Sequence, residues 1–384
     1  MNQWAGVLDV VVTARPSWAR VKTLVSSFAE LNGNSSVRLS LVGPAVSERY
    51  GDISKVIGHR IKHKNFPALQ ESDALGSIAL SAIEGASSLV RYWSMERPTA
   101  VLVIADRTET LGASVAAALM QIPLIHLQGG EVSGSIDDKI RNSNTKLADL
   151  HLTTNLETRE RLLGMGEEDS RIRVIGCPSV DIAREAVSKT QGVQFLDMDK
   201  LGGVGAWVEK GDSYGVIMFH PDTLASDETN VAWIEHLMRF VDHSRLKWFW
   251  FWPNPDHGTN QISKIIRRKR EQGGLSTVRF IINIEPELFN LLLANAQILL
   301  GNSSYGIRES SYLGLSVINL GDRQHGRQRG QNVLDLDLNS HALKDFRLLE
   351  SRIGLKFPQS NLYGSGNSGR LGAEAVSKWE PSLK

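Results

Sequence analysis

The chain reads as an α/β protein built of two Rossmann-like halves, and three observations predict this. Its 384 residues are too many for one hydrophobic core. Short β-branched or apolar runs alternate with stretches of helical spacing through most of its length, the mark of a doubly wound parallel sheet. Between the two alternating series lies a stretch of glycines and mixed charge, residues 190–212, of the kind that joins domains.

In the first series the predicted strands are residues 7–13, 37–42, 100–104, 124–127 and 150–153, with helical spacing over 19–31, 74–93, 110–120 and 138–147. Parallel strands require crossovers of that length. In the second series the predicted strands are 215–219, 247–252, 278–282, 297–300 and 316–320, with helices between them. After a glycine- and serine-rich stretch at 364–369, residues 371–379 read as a last helix that packs back on the first domain. The expected division is therefore an N-terminal domain of residues 1–195, joined by a C-terminal helix at 370–380, and a second domain of 196–369.

Composition narrows the function classes. Lys plus Arg (43) nearly balances Asp plus Glu (42), so no long-range field points to nucleic acid or to an anionic membrane. The run Arg267-Arg268-Lys269-Arg270 ends an amphipathic segment and reads as a solvated helix C-terminus. Cys177, the only cysteine, excludes an intrachain disulfide and a cysteine-rich metal site. The N-terminus has no basic targeting region, and the apolar run at 7–12 is too short to span a bilayer; a soluble, cytoplasmic chain is expected.

In open α/β sheets, ligands bind beyond the carboxyl ends of the strands, so unusual polar residues at those ends are the candidates for chemistry, and the site is expected in the cleft between the halves. Gly301-Asn302-Ser303-Ser304 follows a strand and reads as the start of a helix, where backbone N–H groups and two small hydroxyls suit a phosphate. Glu309, five residues after Ser304, is placed to accept hydrogen bonds from a ribose diol, so the segment reads as a site for a nucleotide with a diphosphate. Arg15 and Arg323 are strand-end arginines able to fork onto phosphate oxygens. Asp106-Arg107 ends a third strand, and Gln128-Gly129-Gly130-Glu131 follows a fourth. His126 reads as a satisfied core histidine. Asp137 and Arg141 share a helical face, where an ordinary ion pair competes with a role in the site. His220 and Asn254 each end a strand just before a proline.

Together, Arg15-Pro16, Asp106-Arg107, His126-x-x-Gly-Gly-Glu131 with Ser135-Ile136-Asp137-Asp138, the turn Gly176-Cys177-Pro178-Ser179-Val180-Asp181, Gly301-Asn302-Ser303-Ser304 and Gly321-Asp322-Arg323-Gln324 resemble the UDP-N-acetylglucosamine 2-epimerases. The likeness runs from about residue 8 to 335 and is greatest to the hydrolysing branch of sialic-acid and related nonulosonate biosynthesis. It implies two domains facing across a cleft (glycosyltransferase-B type), a UDP-sugar substrate, no metal or other cofactor, and a homodimer or homotetramer. The family's reaction removes the C2 proton and expels UDP to give a glycal, then adds water to release the 2-epimeric sugar.

Carried over by position, the UDP contacts fall on Arg15, Arg107, His220, Asn254, Ile284, Ser303, Ser304, Glu309 and Arg323. The catalytic set falls on Asp106, Gln128, Glu131, Asp137, Arg141 and His220. The chain departs from the pattern at Gln128, where many relatives carry a glutamate assigned to acid/base chemistry, and at Ser17 and Asn142, where an acidic residue and a histidine are expected. An amide cannot transfer a proton as a carboxyl does, so either Asp106, Asp137 or Glu131 carries the proton transfers, or the enzyme is slow, or its substrate differs. A UDP-retaining epimerase, a glycosyltransferase of the same fold and a silent sugar-nucleotide-binding paralogue remain open at this level.

Overall fold

Buried runs dictate the sheets. The computed structural model describes residues 4–48, 52–57, 61–68, 75–133, 136–190, 198–222, 225–253, 259–282, 284–338 and 346–381. Strands β1 (Leu8–Val12), β4 (Ala100–Ile104), β5 (Leu124–Leu127) and β6 (Leu150–Thr153) are buried at every residue. Strands with no solvated face need cover on both sides, which parallel strands with crossover helices provide.

The chain folds into two compact units. Unit 1 comprises Met1–Glu131, Ile136–Asp181 and Gly364–Lys384; unit 2 comprises Val132–Ser135 and Ile182–Tyr363. With β2 (Val37–Val42), β3 (Lys62–Phe66) and β7 (Ile172–Val174), unit 1 forms a parallel sheet in the order β3-β2-β1-β4-β5-β6-β7. Unit 2 contains β8 (Val204–Gly205), β9 (Tyr214–Met218), β10 (Lys247–Phe251), β11 (Val278–Ile281), β12 (Leu299–Gly301), β13 (Val317–Leu320) and β14 (Val333–Leu336). They run in the order β14-β13-β12-β9-β10-β11-β8, parallel except for β8. Both sheets are Rossmann-like, as the alternation predicts.

The sequence pattern misses the edges. β3 reads Lys-His-Lys-Asn-Phe and exposes four of its five residues, so it carries no apolar run, and charged edge strands are what keep sheets from pairing with one another. β7, β8 and β14 are edges too. The stretch read as a linker at 190–212 is in part a sheet element. Helix Met198–Leu201 is followed by β8, whose Val204 and Gly205 pair with Phe280 and Arg279. A Cβ at Gly203 or Gly205 would overlap the carbonyls of Phe280 and Val278, which is why glycine stands there. The turn read at 176–181 ends in helix Pro178–Thr190.

Helix Arg15–Asn32 follows β1, its early Pro16 suited to the first turn. The C-terminal helix Ser368–Lys378 lies against it. Gly369 and Gly372 lack the Cβ that would strike Thr23 and Leu24, and Asn32 Nδ2 donates to Ser377 Oγ at 2.8 Å. Asp181 fastens the start of that helix, accepting from Ser368 N (2.8 Å), Gly369 N (2.6 Å) and Thr23 Oγ1 (3.0 Å). Among the described residues no helix is long and apolar enough to cross a membrane.

Candidate functional site

Each sheet reverses its strand order at one place, between β1 and β4 in unit 1 and between β9 and β12 in unit 2. Ligands of open α/β sheets bind beyond the strand ends at such points, because the loops diverge there and leave a crevice. Arg15 follows β1 and Asp106-Arg107 follows β4; His220 follows β9 and Ser303-Ser304 follows β12. Gln128 and Glu131 instead follow β5, and Arg323 follows β13, each one strand away from its unit's switch point.

In unit 1 the backbone beyond β4 and β5 is bent into the left-handed region at two residues that are not glycine, Ala105 (φ 57°) and Gln128 (φ 69°). Hydrogen bonds hold both in place. His126 Nε2 donates to Ala105 O at 3.0 Å, Asn144 Nδ2 donates to the same oxygen at 3.1 Å, and Gln128 N donates to Leu152 O at 2.8 Å. Because Nε2 must carry the proton, His126 Nδ1 accepts from Thr145 Oγ1 at 3.1 Å, and the ring is neutral. Burial pushes its pKa down to about 3. His126 is thus a satisfied core histidine, and what it satisfies is the turn presenting Asp106.

Asp106 pairs with Arg141, whose guanidinium is 1% exposed and also holds Asp138 and the Glu131 carbonyl, the last at 2.8 Å. One buried cation therefore joins the loops after β4 and β5 to helix Ile136–Leu147. Sequence reasoning passes over Asp138, although its i,i+3 spacing to Arg141 is visible in the chain. Asp137 stands half-buried in the first turn of that helix, and Glu131 is buried. Arg107 occupies the N-cap position of helix Thr108–Leu119 without a side-chain capping bond and pairs with Glu109 at 3.3 Å. The Gln128 side chain is placed in the interior, 1% exposed, with its amide donating to Cys177 Sγ at 3.1 Å.

In unit 2, Asn302 knits three strand ends together. Its side chain accepts from His220 N and donates to His220 O, both at 2.8 Å, tying β9 to β12. Its own carbonyl receives Gln324 Nε2 at 2.8 Å and Arg323 Nη1 at 3.2 Å from the loop after β13. Gly301 (φ 140°) is obligatory, since a Cβ would overlap Met218 O. His220 is buried, while Ser303, Ser304 and Arg323 are half-buried.

The expected helix start at Ser304 takes a different form. Ser304–Gly306 is a single 3₁₀ turn, with Ser303 Oγ accepting from Tyr305 N at 3.4 Å, and helix Glu309–Leu313 has five residues. So short a helix carries little macrodipole, and side chains must supply a larger share of any attraction for an anion. Glu309 lies inside, its side chain 5% exposed, 3.9 Å from Arg308 Nε. Its Oε2 is buried and has no hydrogen-bond partner among the described residues. That charge and burial together drive the Tyr305 hydroxyl pKa well above its ordinary value, burial contributing more. Ile284 belongs to the apolar core with Phe251 and Ile281, which leaves only its backbone for a ligand. Asn254 and Ser135 lie outside the described residues.

Residues 30–376 match the family model described as UDP-N-acetylglucosamine 2-epimerase. The chain belongs to that family. A UDP-N,N'-diacetylbacillosamine 2-epimerase (hydrolyzing) of Legionella pneumophila is 31% identical over 277 residues, which are 71% of this chain and 69% of that one. A UDP-N-acetylglucosamine 2-epimerase of Neisseria meningitidis is 26% identical over 93% of this chain and 90% of its own. Among solved structures, the Methanocaldococcus jannaschii UDP-GlcNAc 2-epimerase in complex with UDP-GlcNAc and UDP superposes with a TM-score of 0.77 at 14% identity, covering 96% of this chain and 99% of that one. At that identity the likeness establishes the epimerase-family fold.

Proposed function

We propose that the chain is a hydrolysing UDP-N-acetylhexosamine 2-epimerase that acts on UDP-N-acetylglucosamine or a modified relative and releases UDP and the 2-epimeric free sugar. The observation that carries the nucleotide half of this reading is Glu309. A carboxylate oxygen buried without a hydrogen bond is costly, and a ribose diol is the kind of donor that would satisfy it. In unit 2, Ser303, Ser304, Arg323 and His220 stand beyond the ends of β12, β13 and β9 and suit a diphosphate; the family resemblance also assigns Arg15 and Arg107 to UDP.

The chemistry falls to the carboxylates of unit 1. One of Asp106, Asp137 and Glu131 removes the C2 proton as the bond from C1 to the diphosphate oxygen breaks, leaving a C1=C2 glycal and UDP. The developing charge on UDP is stabilised by fixed donors, usually a large part of catalysis. Water then adds its hydroxyl at C1, and a proton returns to C2 from the opposite face. Support for hydrolysis comes from the Legionella relative and from a 28%-identical Campylobacter jejuni protein named GDP/UDP-N,N'-diacetylbacillosamine 2-epimerase (hydrolyzing).

Proton NMR of the protein with UDP-N-acetylglucosamine, and in parallel with UDP-N,N'-diacetylbacillosamine, in D₂O tests the reading. Free 2-epimeric sugar deuterated at C2 from either substrate is expected. A 2-epimeric sugar still attached to UDP would assign the non-hydrolysing reaction instead. Binding of both nucleotides without turnover would reduce the chain to a binding protein.

A further inference from the structure

We propose that Arg308 is a positioning residue for the nucleotide, one that commits the Ser304 hydroxyl to donating its proton to a diphosphate oxygen. The inference rests on the nucleotide site proposed above. Arg308 is 1% exposed and lies one helical turn beyond Ser304, to whose Oγ its Nη2 donates at 3.0 Å. A guanidinium has five N–H donors and no acceptor, whereas a hydroxyl has one donor and two lone pairs. Once Oγ accepts from Arg308, its single proton must point elsewhere, and among the described residues no acceptor receives it. Ser304 itself is half-buried, so that proton is within reach of a ligand.

The same cation stands 3.9 Å from the Glu309 carboxylate, so one buried charge faces both the serine assigned to phosphate and the carboxylate assigned to ribose. A hydroxyl polarised by a cation is also a stronger donor to an anion than a free serine, because charge-assisted hydrogen bonds polarise along the chain. This arrangement supplements the weak dipole of a 3₁₀ turn and a five-residue helix.

Calorimetry with UDP and with uridine separates the roles, since only UDP carries the phosphates. In Arg308→Met and in Ser304→Ala, the preference for UDP over uridine is expected to fall about tenfold or more, the value of a hydrogen bond to a charged group. In the double variant it is expected to fall no further than in either single one. Arg308→Lys, which keeps the charge and a donor, should recover part of the preference and serves in the same cycle if Arg308→Met does not fold. Equal loss of both ligands in Arg308→Met, or losses that multiply in the double variant, would make Arg308 a structural residue only and overturn the proposal. If the wild-type protein binds no UDP, or Glu309→Ala and Ser304→Ala leave UDP affinity untouched, the nucleotide reading itself falls, and this proposal with it.

Discussion

Acidification should destabilise unit 1 through His126, and the size of the effect follows from its surroundings. The imidazole is fully buried, and its pKa falls from 6.5 to about 3, first because burial disfavours the cation and then because His151 and Arg141 repel it; the Ala105 carbonyl and Asp106 pull only partly the other way. A depressed folded-state pKa means that between about pH 3 and 6.5 the unfolded chain binds the extra proton, so stability is intact above 6.5 and drains away as pH falls. Between pH 7 and pH 5 the linkage amounts to about 2 kcal/mol from this one residue. Urea unfolding curves over that range for wild type and His126→Gln measure it directly. Glutamine keeps an N–H for Ala105 O and cannot titrate, so its stability should fall by about 2 kcal/mol less than that of wild type over the same interval. Other titrating groups contribute equally to both proteins and cancel. Parallel pH profiles would show that burial does not hold His126 neutral, and the reasoning would fail.

Three further outcomes are expected. Glu309→Ala should weaken UDP binding by roughly 1.5 to 3 kcal/mol in calorimetry, the contribution of a hydrogen bond to a charged group; unchanged affinity would remove Glu309 from the site. Asp137→Asn should abolish C2 deuterium exchange and turnover while leaving UDP affinity nearly intact, and wild-type rates in that variant would pass the role to Glu131. Arg141→Met leaves Asp106 and Asp138 facing each other without their cation, so thermal denaturation should show a loss of about 3 to 5 kcal/mol; a loss below about 1 kcal/mol would mean that water already screens that cluster.

The central strands were legible because they are covered on both faces and can only be apolar runs: residues 100–104 and 124–127 match β4 and β5 to the residue. The edges were not, because a strand such as Lys62–Phe66 is paired on one side and exposed, and nothing in its composition separates it from a loop. The same distinction runs through the site. Strand-end polar residues announce themselves one at a time in the sequence, since a charge directly after a buried run needs a reason to be there. Their partners do not. That Asp106 is held by an arginine 35 positions away, that Asn302 binds the backbone of His220 82 positions earlier, and that the Gln128 amide turns inward to Cys177 depend on which strands lie side by side.

The amino-acid sequence by itself determined the α/β alternation, the family and the residues at the strand ends, because these depend on local burial and on spacing along the chain. Tertiary structure alone decided which strand ends meet at each switch point, that the segment after Asn302 is a 3₁₀ turn backed by a buried arginine, and that a neutral histidine supports the bend before Asp106. These are consequences of strand order and of desolvation, and no run of residues read in isolation carries either.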